Sequence, residues 1–137
     1  MIIGIGTDII DIRRIERSIE RFGDRFKNRV FSAGERAKAE SRLREVDTYA
    51  KRFAAKEATA KALGTGIYRG VIWRDLEVIN LKGGKPTMKL SGKALERARA
   101  LTPDGMDFTV HLTLTDDYPW AQAFAVLEAI PRAETGA

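Results

Sequence analysis

A chain of 137 residues fits one domain and leaves little room for a second. With 44% hydrophobic and 31% charged residues it is an ordinary globular mixture rather than a disordered chain, and the absence of cysteine excludes disulfides and thiolate metal sites. The net charge of +5 is uneven: residues 13–61 hold 15 Lys/Arg against 8 Asp/Glu, which marks either a solvated basic face or an anionic partner such as nucleic acid, a phosphorylated ligand or an acidic protein.

No repeat, low-complexity block or linker divides the chain. Residues 2–6 are apolar, punctuated by Gly4 and Gly6, and read as a short buried strand. The N-terminus lacks the basic region of a signal peptide, Asp8 interrupts its apolar run, and no stretch approaches the length of a membrane span, so a cytoplasmic protein is expected. Ile12, Ile15, Ile19 and Phe22 recur at helical spacing and predict a helix over 11–22 that stops at Gly23. Ser32 and Glu35 form a capping box for a second helix reaching about residue 45. Asp47 or Thr48 caps a third, alanine-rich helix that ends at Leu63, with Gly64 as its stop. Residues 76–81, the turn at Gly83-Gly84, and residues 86–90 predict a hairpin, followed by a fourth helix over 92–101. Phe108, Val110, Leu112 and Leu114 alternate with Thr109, His111, Thr113 and Thr115, the pattern of a half-buried strand. Pro119 then turns the chain into a last strand at 121–127. The tail after Ala129 is expected to fray, leaving a single domain over 1–128 and a tail over 129–137. With helices mainly in the first half and antiparallel strands in the second, the class is α+β, helices packed on an antiparallel sheet.

The third predicted helix carries the densest polar pattern, from Arg52-Phe53-Ala54-Ala55-Lys56-Glu57 to Lys61-Ala62-Leu63-Gly64-Thr65-Gly66. Glu57 and Lys61 stand four apart and share a helix face, as a simple surface ion pair would. The surrounding alanines, however, leave the backbone open to close approach. Arg52 and Lys56 also project cations from the same region, which suits an anionic ligand. Asp8 follows the first strand, either as a turn or cap residue or as a carboxylate exposed at the strand end. One carboxylate from this loop and one from the third helix are enough for Mg²⁺, which binds through one or two carboxylates, waters and substrate phosphate oxygens. Gly4-Ile5-Gly6 lacks the third glycine of a dinucleotide fingerprint, and no GK[ST] of a P-loop is present. On the first helix, counted from Arg13, Arg14, Arg17 and Arg21 fall at roughly 100°, 40° and 80°, opposite the apolar set, so an arginine stripe faces solvent.

Together, Gly4-Ile5-Gly6-Thr7-Asp8-Ile9 with Arg14-Ile15, Phe31-Ser32-Ala33-Gly34-Glu35, and the run from Phe53-Ala54-Ala55-Lys56-Glu57 to Gly64-Thr65-Gly66 resemble the holo-[acyl-carrier-protein] synthase family. Gly84-Lys85-Pro86 and the His111 strand fall where that family has its own, and the resemblance runs from residue 1 to about residue 127. It implies a 4′-phosphopantetheinyl transferase fold assembled as a homotrimer with sites between subunits. The implied activity is Mg²⁺-dependent transfer of the 4′-phosphopantetheine group of coenzyme A to a serine of apo acyl carrier protein, releasing 3′,5′-ADP and activating the carrier for fatty acid synthesis.

By the same resemblance, Asp8 and Glu57 are the magnesium ligands, and with Lys61 they form the catalytic set. Lys61 lies at the pyrophosphate. Arg52, Lys56, Gly64, Lys85, Pro86 and His111 join it in binding coenzyme A, although a hydrogen-bonded sheet residue is an equal reading of His111. Arg14, Arg21 and Arg25 dock the acidic carrier. Whether Glu57 takes the serine proton directly or through water stays open. Family members often have a histidine where this chain has Asp116, so a nucleotide-phosphate contact is not carried over to that position. A basic nucleic-acid-binding module, suggested by a pI near 9.7, finds no RNP-type aromatic motif, zinc spacing or helix-turn-helix signal in its favour. A non-catalytic trimeric scaffold would not depend on Asp8 or Glu57. No nucleic acid or membrane partner is expected.

Overall fold

The first strand has glycine where a helix must come close. On β1 (Ile2–Asp11), a Cβ added at Gly4 would lie 2.9 Å from the carbonyl carbon of Ala62, and one at Gly6 would lie 3.0 Å from that of Ala58. Both partners belong to α4 (Glu45–Ala62), whose buried Ala54, Ala55, Ala58 and Ala62 let its backbone press onto the strand.

The computed structural model describes residues 1–132. Between these two elements the chain forms α1 (Ile12–Phe22), α2 (Asp24–Val30) and α3 (Ala33–Glu40). After α4 come a 3₁₀ turn at Trp73–Asp75, β2 (Leu76–Asn80), β3 (Pro86–Leu90), α5 (Gly92–Leu101), β4 (Met106–Asp117) and β5 (Trp120–Pro131). An antiparallel sheet in the order β1-β5-β4 carries α4 on one face, where Ala121, Ala123 and Ala125 of β5 lie buried beneath the helix. β2 and β3 form a separate antiparallel pair. This is the α+β arrangement expected. No helix among the described residues is long and apolar enough to cross a membrane.

The capping box forms as read: Glu35 N–H donates to Ser32 Oγ at 3.1 Å, and Ser32 N–H donates to Glu35 Oε1 at 2.9 Å. Elsewhere the boundaries move. The first strand runs to Asp11, whose carboxylate caps α1 by accepting from Arg13 N–H at 2.9 Å. Gly23, at φ +54°, ends α1, but the chain restarts at once as α2, with Phe26 and Val30 four apart turned inward; one glycine hides a second short helix. α3 stops at Glu40 rather than near residue 45. α4 starts at Glu45, ahead of the expected cap, so Arg44 takes the N-cap position without a side-chain cap and Asp47 falls inside the first turn, paired with Arg44 at 2.8 Å. Residues 129–131 belong to β5 rather than to a tail, and of the expected tail residues 133–137 lie outside the described residues.

Candidate active site

Strand periodicity puts Gly4, Gly6, Asp8 and Ile10 on the face of β1 that meets α4. Since the helix crosses at the glycines, the next polar positions on each element converge. Asp8, Glu57 and Lys61, with Arg14 of α1 and Phe53, line a pocket of about 210 Å³. Asp8 therefore stands within β1 and not past its end, as the sequence reading had it.

Lys61 Nζ donates to the Thr7 carbonyl at 3.0 Å and to Asp8 Oδ1 at 3.3 Å. Burial raises the Asp8 pKa above its ordinary value, with Lys61 and Arg14 opposing. Burial likewise raises that of Glu57, and the Asp8 charge adds to it. Two half-buried carboxylates thus face one lysine and one arginine, and burial outweighs both cations at each of them. That is the donor set a hard divalent cation takes when most of its shell is water and phosphate oxygen. Among the described residues, no group of three or more His, Cys, Asp or Glu gathers as a metal cage.

Arg52 and Lys56 do not face this pocket. Counted from Phe53, Glu57 and Lys61 fall at about 40° and 80° around α4, whereas Arg52 and Lys56 fall at about 260° and 300°. Lys56 is wholly buried. Its Nζ lies 2.8 Å from Glu35 Oε1 and donates to the carbonyls of Trp73 (3.3 Å) and Leu76. Burial lowers its pKa and the Glu35 charge opposes that. The expected phosphate contact of Lys56 is thus corrected: its ammonium protons are engaged inside, because β2 packs over a helix face that the sequence reading left open. Arg52 is also largely buried, donating to the Val78 carbonyl at 2.9 Å and to Asn80 Oδ1 at 3.3 Å.

Arg52 does border a second cavity, of about 510 Å³, on the opposite flank of α4. Lys38, Arg42, Arg44, Lys51 and Pro86 line it, together with Asp47 and Asp116, the latter paired with Lys51 at 3.5 Å. Of these cations Arg42 and Arg44 are exposed and Lys38 and Lys51 half-buried; none of the four was singled out from the sequence, and their only signal was the charge excess of residues 13–61. Lys85 is exposed in the β2–β3 turn beside Pro86. Gly64, at φ +77°, closes α4, its N–H donating to the Lys61 carbonyl at 2.9 Å. His111 sits on the outer face of the sheet, away from α4, its Nε2 2.8 Å from Glu128 Oε1 on β5. Arg21 and Arg25 are exposed on α1 and α2, and Arg14 joins the carboxylate pocket to a groove it lines with Arg17, Arg21 and Phe22.

The family model described as the 4′-phosphopantetheinyl transferase superfamily matches residues 4–123. A holo-[acyl-carrier-protein] synthase of Maricaulis maris is 64% identical over 131 residues, covering 96% of this chain and 92% of that protein. The crystal structure of the synthase from Neisseria meningitidis superposes with a TM-score of 0.79 at 38% identity, covering 93% of this chain and 99% of that one. The synthase from Bacillus anthracis, solved in complex with CoA (3′,5′-ADP), gives a TM-score of 0.74 at 37% identity, with 95% and 99% covered. The chain belongs to the 4′-phosphopantetheinyl transferase superfamily and, within it, to the holo-[acyl-carrier-protein] synthase family.

Proposed function

We propose that this chain transfers the 4′-phosphopantetheine group of coenzyme A to a serine of apo acyl carrier protein, releasing 3′,5′-ADP, in a Mg²⁺-dependent cytoplasmic reaction that activates the carrier for fatty acid synthesis. The observation that carries this reading is the meeting of Asp8 and Glu57 with Lys61 and Arg14 in one pocket. The serine oxygen attacks the β-phosphorus as the bond to the oxygen bridging the α-phosphate breaks, a step that needs in-line positioning and charge neutralisation more than covalent help. Mg²⁺ held by Asp8 and Glu57 supplies positive charge at the diphosphate when bound. Lys61 presents its ammonium to the leaving phosphate oxygen. Glu57 takes the serine proton, directly or through water.

The basic cavity, lined by Pro86 with Lys85 next to it in the chain, suits the 3′-phosphate end of coenzyme A. Pocket and cavity lie on opposite flanks of α4, so one coenzyme A runs from the pocket of one copy to the cavity of the next. The outer face of the sheet supports such assembly. Ile5, Ile9 and Phe124 are 61%, 59% and 43% exposed on it, more apolar surface than a lone sheet face ordinarily leaves to water. In a homotrimer joined there, His111 meets a ligand bound by its neighbour. Arg14, Arg21 and Arg25 steer the acidic carrier. The test is to mix the protein with apo carrier protein, coenzyme A and Mg²⁺. The expected result is a carrier heavier by one phosphopantetheine, with the gain abolished by EDTA; an unmodified carrier would refute the reading.

A further inference from the structure

Lys56 and Glu35 form an ion pair with no exposed side-chain surface, and the reaction outlined above uses neither. Backbone groups surround the pair. Glu35 Oε1 accepts from Ser32 N–H at the start of α3, and Oε2 accepts from Val78 N–H of β2, each at 2.9 Å. Lys56 Nζ donates to the carbonyls of Trp73 and Leu76. One ammonium and one carboxylate thereby tie α3, the Trp73–Asp75 turn and β2 to a single point on α4. Stability alone is a weak reason to keep such a pair, because desolvation consumes most of the attraction and packed apolar side chains often do as well.

Its location supplies a stronger one. The anchored point is the residue before Glu57. Trp73, whose carbonyl receives the ammonium, packs its ring on Phe53 with centroids 4.7 Å apart, one helical turn before Glu57. Trp73 and Ile72 also line, with Glu57, Tyr68 and Arg29, a cavity of about 510 Å³. The same ammonium therefore holds the helix backbone beneath Glu57 and the wall that faces it.

We propose that the Lys56–Glu35 pair is a positioning device for the transfer site, fixing the roll of α4 and the distance between Glu57 and the Ile72–Trp73 wall. The inference rests on the transferase reading above. A misplacement of about 1 Å at a reacting group costs about 10²-fold in rate, so a helix free to roll loses turnover before it loses substrate.

The experiment compares Lys56→Met, Glu35→Gln and the double variant with the parent protein. It measures thermal melts, steady-state transfer, and acrylamide quenching of Trp73 after Trp120→Phe removes the only other tryptophan. Lys56→Met and the double variant are expected to fold and to lose at least about tenfold in kcat, with KM for coenzyme A within about twofold, and Trp73 is expected to become more readily quenched. A raised KM for coenzyme A at unchanged kcat would return Lys56 to phosphate binding. Unchanged kcat and quenching would reduce the pair to core packing, and failure of all three variants to fold would confine it to folding; each of these overturns the proposal. Absence of transfer by the parent protein would instead refute the transferase reading, and the quenching measurement would still judge the pair.

Discussion

Two lysine–carboxylate pairs sit little more than a helical turn apart on α4, in opposite surroundings. Lys56 and Glu35 are 2.8 Å apart with neither side chain exposed; Lys61 and Asp8 are 3.3 Å apart with 52% and 17% of their side chains exposed. The inner pair is saturated by backbone partners, and no ligand can reach it. The outer pair opens onto a second carboxylate, Glu57, whose ionised form burial disfavours despite Lys61 and Arg14 nearby. What separates a structural ion pair from a functional one here is what each leaves unsatisfied; residue type and separation are nearly the same.

The largest effects should come from the outer pair. Glu57→Ala or Asp8→Ala is expected to lower transfer about 10³-fold or more and to remove its response to Mg²⁺, and Lys61→Met about 10²-fold, as read from initial rates across a Mg²⁺ titration. A near-normal rate in any of them would take that residue out of the site. In urea unfolding the ranking should reverse. Lys56→Met strands a buried carboxylate and is expected to cost about 3–5 kcal/mol, whereas Lys61→Met removes a solvent-screened pair and should cost less than about 1 kcal/mol. Equal losses would mean that the two pairs do not differ in kind.

The contact that brings the outer pair together can be broken without touching it. Gly6→Ala puts a methyl into the Ala58 backbone, so the helix must lift from β1. A destabilisation of about 1–3 kcal/mol is expected from overpacking, together with a fall in kcat out of proportion to the folded fraction. Full activity in a folded Gly6→Ala protein would show that Asp8 and Glu57 do not depend on this approach.

Much of this was legible in the sequence, for identifiable reasons. The alanines of α4 announced a close approach, though not that Gly4 and Gly6 of β1 would be what approached, and the spacing of Glu57 and Lys61 put both on one face. The capping box at Ser32 and the β2–β3 hairpin carried local signals that tertiary packing had no cause to override. Lys56 was misread because helix periodicity gives an angle but not what covers it: the β2 segment that buries it is 20 residues away, as in the Leu76 contact. The basic cavity went unseen for a similar reason. Lys38, Arg42, Arg44 and Lys51 come from α3, the following turn and α4, and only the fold gathers them around Arg52 and Pro86.

The arginines extend the comparison to the surface. Arg21→Glu with Arg25→Glu should raise KM for the carrier protein about tenfold at low salt, fade at high salt and leave KM for coenzyme A within about twofold. Arg14 lines the carboxylate pocket as well, so Arg14→Glu should weaken both substrates. Parallel losses for both substrates in the Arg21/Arg25 variant would remove the docking role.

The smallest effect tests the charge balance of the outer pocket itself. Burial raises the pKa of both Asp8 and Glu57, so ionising them costs more in the folded chain than in the unfolded one. The folded state therefore holds these protons more tightly, and between the ordinary carboxylate range and the raised folded values the stability they contribute falls as pH rises. Glu57→Gln deletes one charge of the repelling pair. It is expected to raise Tm by about 1–3 °C near pH 7, and the difference should shrink as pH falls below the ordinary carboxylate range, where the carboxyl is protonated in the folded and unfolded chains alike. Mg²⁺ should reverse the order by raising Tm of the parent protein more than that of the variant, since only the parent keeps both carboxylates to hold it. A variant less stable than its parent at neutral pH without Mg²⁺ would mean that the protein alone satisfies Glu57, and the outer pair would then be as closed as the inner one.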